Sequence, residues 1–118
     1  MAAEIVRILV AIEPQMYREV IALHFRQERP LSKVVLASSQ ALHAEVERTR
    51  PHLIVANEVP PEIKEEGSSF WVELRVSDVL VATISADGYS GTIRDVSLQD
   101  LIAAVDKTEE ELAQNEAS

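Results

Sequence analysis

The 118-residue sequence contains no cysteine, only three glycines and few aromatic side chains. Without cysteine the chain cannot form a disulfide, a thiolate metal site or a cysteine nucleophile, which fits a reducing compartment. None of the glycines (Gly67, Gly88 and Gly91) follows the first apolar run, so the sequence lacks a glycine-rich phosphate loop. We therefore expect neither disulfide stabilisation nor nucleotide binding of the usual kinds.

Long hydrophobic runs and an excess of basic charge are also missing. The apolar runs are much shorter than the roughly 20 residues that span a membrane, and no basic region followed by a long apolar core opens the chain. The formal net charge of −9 opposes binding to a phosphate backbone. We expect a cytoplasmic protein that binds neither membranes nor nucleic acids.

The hydrophobic content of 47% is enough for one compact core. Apolar runs rich in β-branched residues predict buried strands at residues 5–12, 33–37 and 52–56. Strands that alternate with helices predict right-handed crossovers and a parallel sheet.

Helices are predicted between these strands, at residues 15–27 and 40–50, and Ser38 or Ser39 is expected to cap the second. In the first helix, six apolar side chains form a broad helical face. These are Met16, Tyr17, Val20, Ile21, Leu23 and Phe25.

After Asn57 the pattern changes. Residues 58–69 hold Pro60, Pro61 and many charges, and they are predicted to form a loop. Residues 70–76 alternate apolar and polar side chains, which predicts a fourth strand with one face open to water.

Two apolar segments, at residues 79–86 and 89–94, flank the pair Asp87 and Gly88. An Asp-Gly pair in this setting predicts a β-hairpin. The hairpin could complete the sheet of its own chain or present an edge to a second copy, because exposed apolar edges are normally covered or paired.

The sequence ends with a predicted helix at residues 98–112. Ser97 and Asp100 form an S-x-x-D capping box at its start. We predict a single domain over residues 1–108 and a disordered acidic tail over residues 109–118.

Three strings in this order resemble a known family. RILVAIEP (residues 7–14), RPHLIVANEVPP (residues 50–61) and SLQDLIAAV (residues 97–105) resemble the first strand, the third strand and the last helix of response-regulator receiver domains. The resemblance implies a three-layer α/β fold with a doubly wound, mainly parallel sheet of the flavodoxin and receiver type. Here that fold would carry truncated middle helices and a C-terminal β-hairpin.

Receiver domains accept a phosphoryl group on an aspartate beside a carboxylate-bound Mg²⁺. The resemblance places Ala11, Ile12 and Glu13 at the positions of the acidic pocket and Asn57 at that of the phospho-acceptor. Ala11 and Ile12 cannot bind magnesium, and an amide is too weak a nucleophile to form an acyl phosphate. The resemblance therefore implies a pseudo-receiver that is not phosphorylated.

The other receiver positions have weaker matches. Arg94 is the basic residue nearest to the expected lysine, whereas Ser77 and Ser85 both match the expected hydroxyl residue under different alignments. We find no catalytic constellation, no metal site and no cofactor motif in the sequence.

The leading hypothesis is a non-catalytic signalling module that acts through protein contacts. The alternative is a small-ligand sensor that binds at the carboxyl ends of the strands, beside Glu13 and Asn57, with Glu58, Ser77 and Arg94 as possible pocket residues. A small enzyme would need a nucleophile and a base that the sequence does not reveal.

Trp71, Glu73 and Arg75 share the polar face of the fourth predicted strand. If no helix covers this face, it is a candidate surface for a protein partner or for a homodimer, because tryptophan and arginine are enriched at interface hot spots. In the alternative arrangement, residues 58–69 or the last helix fold over it.

Overall fold

The computed structural model describes residues 5–66, 70–76, 80–86, 89–94 and 97–117. These residues form strands and α-helices that we number in chain order. They are β1 (Arg7–Ala11), α1 (Gln15–Glu28), β2 (Lys33–Leu36), α2 (Leu42–Thr49), β3 (Leu53–Ala56), α3 (Pro61–Glu66), β4 (Phe70–Val76), β5 (Leu80–Ala86), β6 (Tyr89–Arg94) and α4 (Leu98–Ala117), with a 3₁₀ turn (Ser39–Ala41) before α2. None of the helices within these ranges has the length and apolarity needed to cross a membrane.

The six strands form one sheet in the order β2-β1-β3-β4-β5-β6. The first four strands in this order are parallel to one another, with Val10 of β1 paired to Leu36 of β2 and to Val55 of β3. Strands β5 and β6 are added antiparallel. The predicted α/β fold with a mainly parallel sheet is therefore confirmed, whereas the predicted Asp87-Gly88 turn lies outside the described residues.

Both faces of the sheet carry a hydrophobic core, because alternate side chains of each strand point to opposite faces. On one face, Ile8 and Val72 belong to a core that includes residues of α1 and α4. On the other face, Leu9 and Ile54 belong to a core that includes residues of α2 and α3. The nearly continuous apolar sequence of β1 reflects this burial on both sides, as predicted.

Helix α1 does not bury its whole predicted apolar face. Ile21 and Phe25 are buried and Tyr17 packs against the core, but three of the six apolar side chains are exposed. The exposed side chains are those of Met16, Val20 and Leu23. The six positions extend around more of the helix than a single sheet contact can cover, so only part of the predicted broad apolar face is buried.

The prediction of a loop at residues 58–69 was partly wrong, because residues Pro61–Glu66 form helix α3. Pro61 is the first residue of the helix, where its missing N–H costs nothing. Ile63 is buried and packs this short helix against the core on one face of the sheet. A helix of six residues is too short to produce a periodic pattern in the sequence.

The start of α2 differs from the predicted serine cap. Neither the 3₁₀ turn nor α2 has a side-chain hydrogen bond from its own N-cap residue, and Ser38 occupies the N-cap position of the turn without capping it. Instead, the Ser39 backbone N–H donates to the Glu13 carboxylate at 3.2 Å. The Glu13 carboxylate, just after β1, therefore accepts a hydrogen bond from the start of the turn, where the sequence predicted a serine side chain as the acceptor.

The predicted capping box of α4 is confirmed. The Ser97 hydroxyl accepts a hydrogen bond from the Asp100 N–H at 3.2 Å, and the Asp100 carboxylate accepts one from the Ser97 N–H at 2.8 Å. Ser97→Ala removes the side chain that accepts the Asp100 N–H, and we expect it to lower the free energy of unfolding by about 1 kcal/mol.

Urea unfolding measures this loss, and Ser38→Ala is the matched control because Ser38 makes no side-chain cap bond. Equal losses in the two variants would show that the capping box does not stabilise α4.

Helix α4 continues through the segment that was predicted to be a disordered tail, as far as Ala117. Within this helix Asp106 accepts two hydrogen bonds from the Arg29 guanidinium, at 2.6 Å from Nε and 2.7 Å from Nη2. The pair fastens α4 to the residue that follows α1. These hydrogen bonds from Arg29 hold the pKa of Asp106 below its ordinary value of 3.8.

A carboxyl whose pKa is lowered in the folded state stabilises the fold above its unfolded pKa, and this contribution is lost as the pH falls through the folded pKa. We therefore expect Asp106→Asn to be less stable than the natural chain at neutral pH, and the difference to shrink as the pH falls below 3.8. The effect is small because both side chains are partly exposed. Urea unfolding of both proteins at neutral pH and at about pH 3 checks it, and a difference that is unchanged at low pH would contradict the assignment.

Candidate functional site

Asn57 joins the ends of three strands at the carboxyl edge of the sheet. It directly follows β3, and its Oδ1 accepts a hydrogen bond from the Glu13 N–H at 2.7 Å. Its Nδ2 donates to the Glu13 carbonyl oxygen at 3.1 Å and to the Leu74 carbonyl oxygen in β4 at 3.3 Å. Both ends of the amide are therefore used to hold the segment after β1 and the end of β4 against β3.

The two residues at the expected metal-binding positions are apolar and fully buried. Ala11 and Ile12 expose none of their surface, and each packs into one of the two cores. Mg²⁺ binds oxygen ligands, mostly carboxylates and water. These two residues offer no side-chain oxygen, so this edge of the sheet does not fit the magnesium site of a receiver domain.

The third residue of the expected acidic pocket, Glu13, is already paired. Its Oε2 lies 3.1 Å from Arg18 Nη1 and also accepts the Ser39 N–H. Arg18 donates in addition to the Ala37 carbonyl oxygen at 2.8 Å. Arg18 thus connects α1 to the end of β2. Its positive charge balances that of the Glu13 carboxylate and holds the carboxylate in place.

Arg18 is a site residue that the sequence interpretation missed. Its side chain is 13% exposed although it carries a permanent charge. The sequence does contain a signal for the pair of Glu13 and Arg18. Arg18 lies in the first turns of a helix that begins just after Glu13, so its side chain can reach back to the carboxylate.

The predicted ligand pocket of Glu58, Ser77 and Arg94 lies partly outside the described residues. Glu58 is exposed next to Asn57, and Ser77 lies outside the described residues. Arg94 ends β6, and two strands, β4 and β5, separate it from β3. At a spacing of about 4.8 Å between neighbouring strands, its backbone lies roughly 14 Å from β3.

The polar face of β4 is covered by α3, so of the two arrangements that the sequence left open for Trp71 and Glu73, the one in which residues 58–69 fold over the face is found. Lys64 of α3 places its Nζ 4.3 Å from the centre of the Trp71 ring and 3.0 Å from Glu73 Oε2. The Val59 N–H donates to the same Glu73 carboxylate at 2.8 Å. Of the three predicted interface residues, only Arg75 is exposed.

A second contact holds α3 to α2. His43 Nε2 lies 3.0 Å from Glu62 Oε1. The pKa of Glu62 is lowered first by a hydrogen bond from its own backbone N–H and then by His43. Helix α3 is therefore tied to both of its neighbours, although it is only six residues long.

Lys64→Ala is expected to loosen α3 from β4, because it removes the cation above Trp71 and the partner of Glu73. We expect a loss of about 1 kcal/mol in the free energy of unfolding. The emission of Trp71, which is the single tryptophan of the chain, should also shift to longer wavelength. Lys33→Ala, an exposed lysine on β2, is the control, and an unchanged spectrum in Lys64→Ala would contradict the contact.

Two cavities lined by described residues lie at the opposite, amino-terminal edge of the sheet. One of about 440 Å³ is lined by residues that include Ile5, Leu31 and Val105. The other, of about 540 Å³, includes Arg50 and Glu66 in its lining. Neither cavity includes Glu13 or Asn57, the residues around which the ligand-sensor hypothesis places its pocket.

Among the described residues, no group of three His, Asp or Glu side chains is close enough to hold a metal ion. Comparisons of the chain with protein-family models, with curated proteins and with solved structures give no match. Function must therefore be argued from the geometry of the chain itself.

Proposed function

We propose that this chain is a receiver-like domain that cannot be phosphorylated, keeps a fixed structure and acts through protein contacts. Its parallel strands follow the order β2-β1-β3-β4, with α1 and α2 packed on opposite faces of the sheet. This arrangement supports a three-layer, doubly wound fold of the flavodoxin type. The antiparallel β5 and β6 would then take the place of the helix and strand that precede the last helix of a receiver.

The observation that carries the proposal is the use of the Asn57 side chain. A phospho-acceptor must present a free oxygen to an incoming phosphoryl group. Instead, the Asn57 Oδ1 accepts a hydrogen bond from the Glu13 N–H, and its Nδ2 donates to two carbonyl oxygens. The position is therefore structural.

The surrounding residues support the same conclusion. Phosphoryl transfer relies on a metal ion and a basic side chain to neutralise the developing charge. Ala11 and Ile12 provide no ligand, and the backbone of Arg94 is displaced from β4 by the intervening strand β5. A scaffold with these three changes can keep a fixed surface, which suits recognition of a partner better than a phosphorylation switch.

Intact-mass measurement of the purified protein with Mg²⁺ and acetyl phosphate tests the proposal. We expect no mass increase, while a phosphorylatable receiver domain in the same reaction serves as the positive control. A phosphoryl adduct on this chain would overturn the proposal.

A further inference from the structure

Helix α1 carries an apolar stripe that faces away from the core of its own chain. Met16, Val20 and Leu23 are 62%, 48% and 56% exposed. Their spacing of four and then three residues places them on one helical face, and the buried Ile21 and Phe25 lie on the other side of the helix. Three neighbouring large apolar side chains are thus left in water.

The charges beside this stripe have a regular arrangement. Glu19 and Arg26 are both exposed and lie seven residues apart, close to two helical turns, so they share one flank of the stripe. The flank therefore carries one negative and one positive side chain, although the whole chain has a net charge of −9. This flank of α1 is thus electrically balanced on an acidic protein.

We propose that α1 binds α1 of a second copy of this chain in an antiparallel pair about a two-fold axis. This deepens the proposed function and rests on it, because it names the protein partner as the chain itself. When the pair is centred between Val20 and Leu23, each Val20 meets Leu23 of the partner subunit. An isologous contact of this kind closes as a dimer.

The charges select the antiparallel orientation. Side chains on the same flank of the stripe face each other across an antiparallel pair, which brings Glu19 against Arg26 of the partner subunit in both halves of the contact. In a parallel pair, this flank would face the opposite flank of the partner helix, so Glu19 and Arg26 of the partner subunit would not meet. Charged pairs that can form in only one orientation define specificity in helix pairs.

The size of the contact sets its strength. Helix α1 has 14 residues and is therefore about 21 Å long. A single helix of this length covers less than the roughly 800 Å² per partner of a standard stable interface. The dimer is therefore weak and reversible, and its charged pairs make it weaker at high salt.

Sedimentation equilibrium at low ionic strength, from about 10 µM to about 1 mM, tests the proposal. We expect the mass to rise from 13.1 kDa towards twice that value. Val20→Glu should remain monomeric over the whole range. Glu19→Lys and Arg26→Glu should each weaken association by about tenfold or more.

Mixing the last two variants is the decisive step, because a mixed dimer pairs Lys at position 19 with Glu at position 26 and leaves Arg26 facing Glu19. Association should return in the mixture. Glu47→Lys and Arg48→Glu on α2 make the same changes of charge away from the stripe and should leave the dimer intact. Circular dichroism of each variant verifies that it is folded.

A natural chain that stays monomeric at about 1 mM would overturn the inference, as would a dimer that survives Val20→Glu or a mixture that fails to associate. Running the series with Mg²⁺ and acetyl phosphate separates the two proposals. A phosphoryl adduct would refute the proposed function, whereas a monomer without an adduct would refute only the α1 dimer.

Discussion

Replacing Asn57 by alanine is expected to lower the free energy of unfolding by about 2–3 kcal/mol, because the Glu13 N–H and the Glu13 and Leu74 carbonyl oxygens lose their partner together. For a domain of this size the midpoint of thermal unfolding should fall by roughly 10 °C. Denaturant unfolding followed by the fluorescence of Trp71 gives the free energy directly.

Asn57→Asp sharpens this prediction because it preserves the shape of the side chain. The aspartate can still accept the Glu13 N–H, but it cannot donate to the two carbonyl oxygens and places a negative charge beside them. We expect a loss about as large as that in Asn57→Ala. Glu58→Ala, at the exposed neighbouring position, should stay within about 0.5 kcal/mol of the natural chain.

If Asn57→Asp is as stable as the natural chain, the amide does not hold the strand ends together. In that case the argument that position 57 serves structure would fail.

Phe25→Ala is expected to have the largest effect of any single change discussed for this chain. Phe25 is fully buried and lies in the core shared by α1, α4 and one face of the sheet. Truncating a phenylalanine in such a core costs about 3–5 kcal/mol, which is a large part of the roughly 5–15 kcal/mol that stabilises a typical domain. Urea unfolding measures the loss, and the milder Phe25→Leu keeps the test possible if the alanine variant does not fold.

The matched control lies two residues away on the same helix. Leu23 is 56% exposed, so Leu23→Ala should change the free energy of unfolding by less than about 0.5 kcal/mol at concentrations where the protein is monomeric. The two variants therefore separate the two faces of α1. Comparable losses in both would contradict the assignment of Leu23 to the outer stripe.

The parallel part of the fold could be predicted because burial on both faces leaves a strong signal. Strands β1 and β3 are almost wholly apolar, and helical segments separate them from their neighbours. The capping box of Ser97 and Asp100 was likewise visible, because both partners belong to one short segment. Features of this kind are local in sequence, so their physical cause can be recognised there.

Contacts between distant segments could not be predicted in the same way. The sequence shows that Asn57 follows a strand, but not that its amide reaches Glu13 and Leu74. Helix α3 was not predicted, because its position depends on contacts with other elements. Ile63 packs into a core shared with those elements, and Lys64 lies over Trp71, which comes later in the chain. These contacts arise only when the sheet is assembled.

For α1 the sequence predicted a broad apolar face but not which part of it is buried. Its apolar residues were treated as one face, although Met16, Val20 and Leu23 repeat with their own helical spacing. Hydrophobic periodicity identifies a helix but does not tell how many partners it has. The exposed stripe became visible only when the buried side of the helix was known.

The most direct test of the loss of phosphoryl chemistry at this edge of the sheet is the intact mass of the Asn57→Asp variant after incubation with Mg²⁺ and acetyl phosphate. This variant supplies the missing acceptor but leaves Ala11 and Ile12 in place of metal ligands. We predict no phosphoryl adduct, because a carboxylate alone cannot assemble the charge-neutralising site that the reaction needs. An adduct located on the new aspartate would show that the edge of the sheet is still an active receiver site, and it would contradict the proposed function.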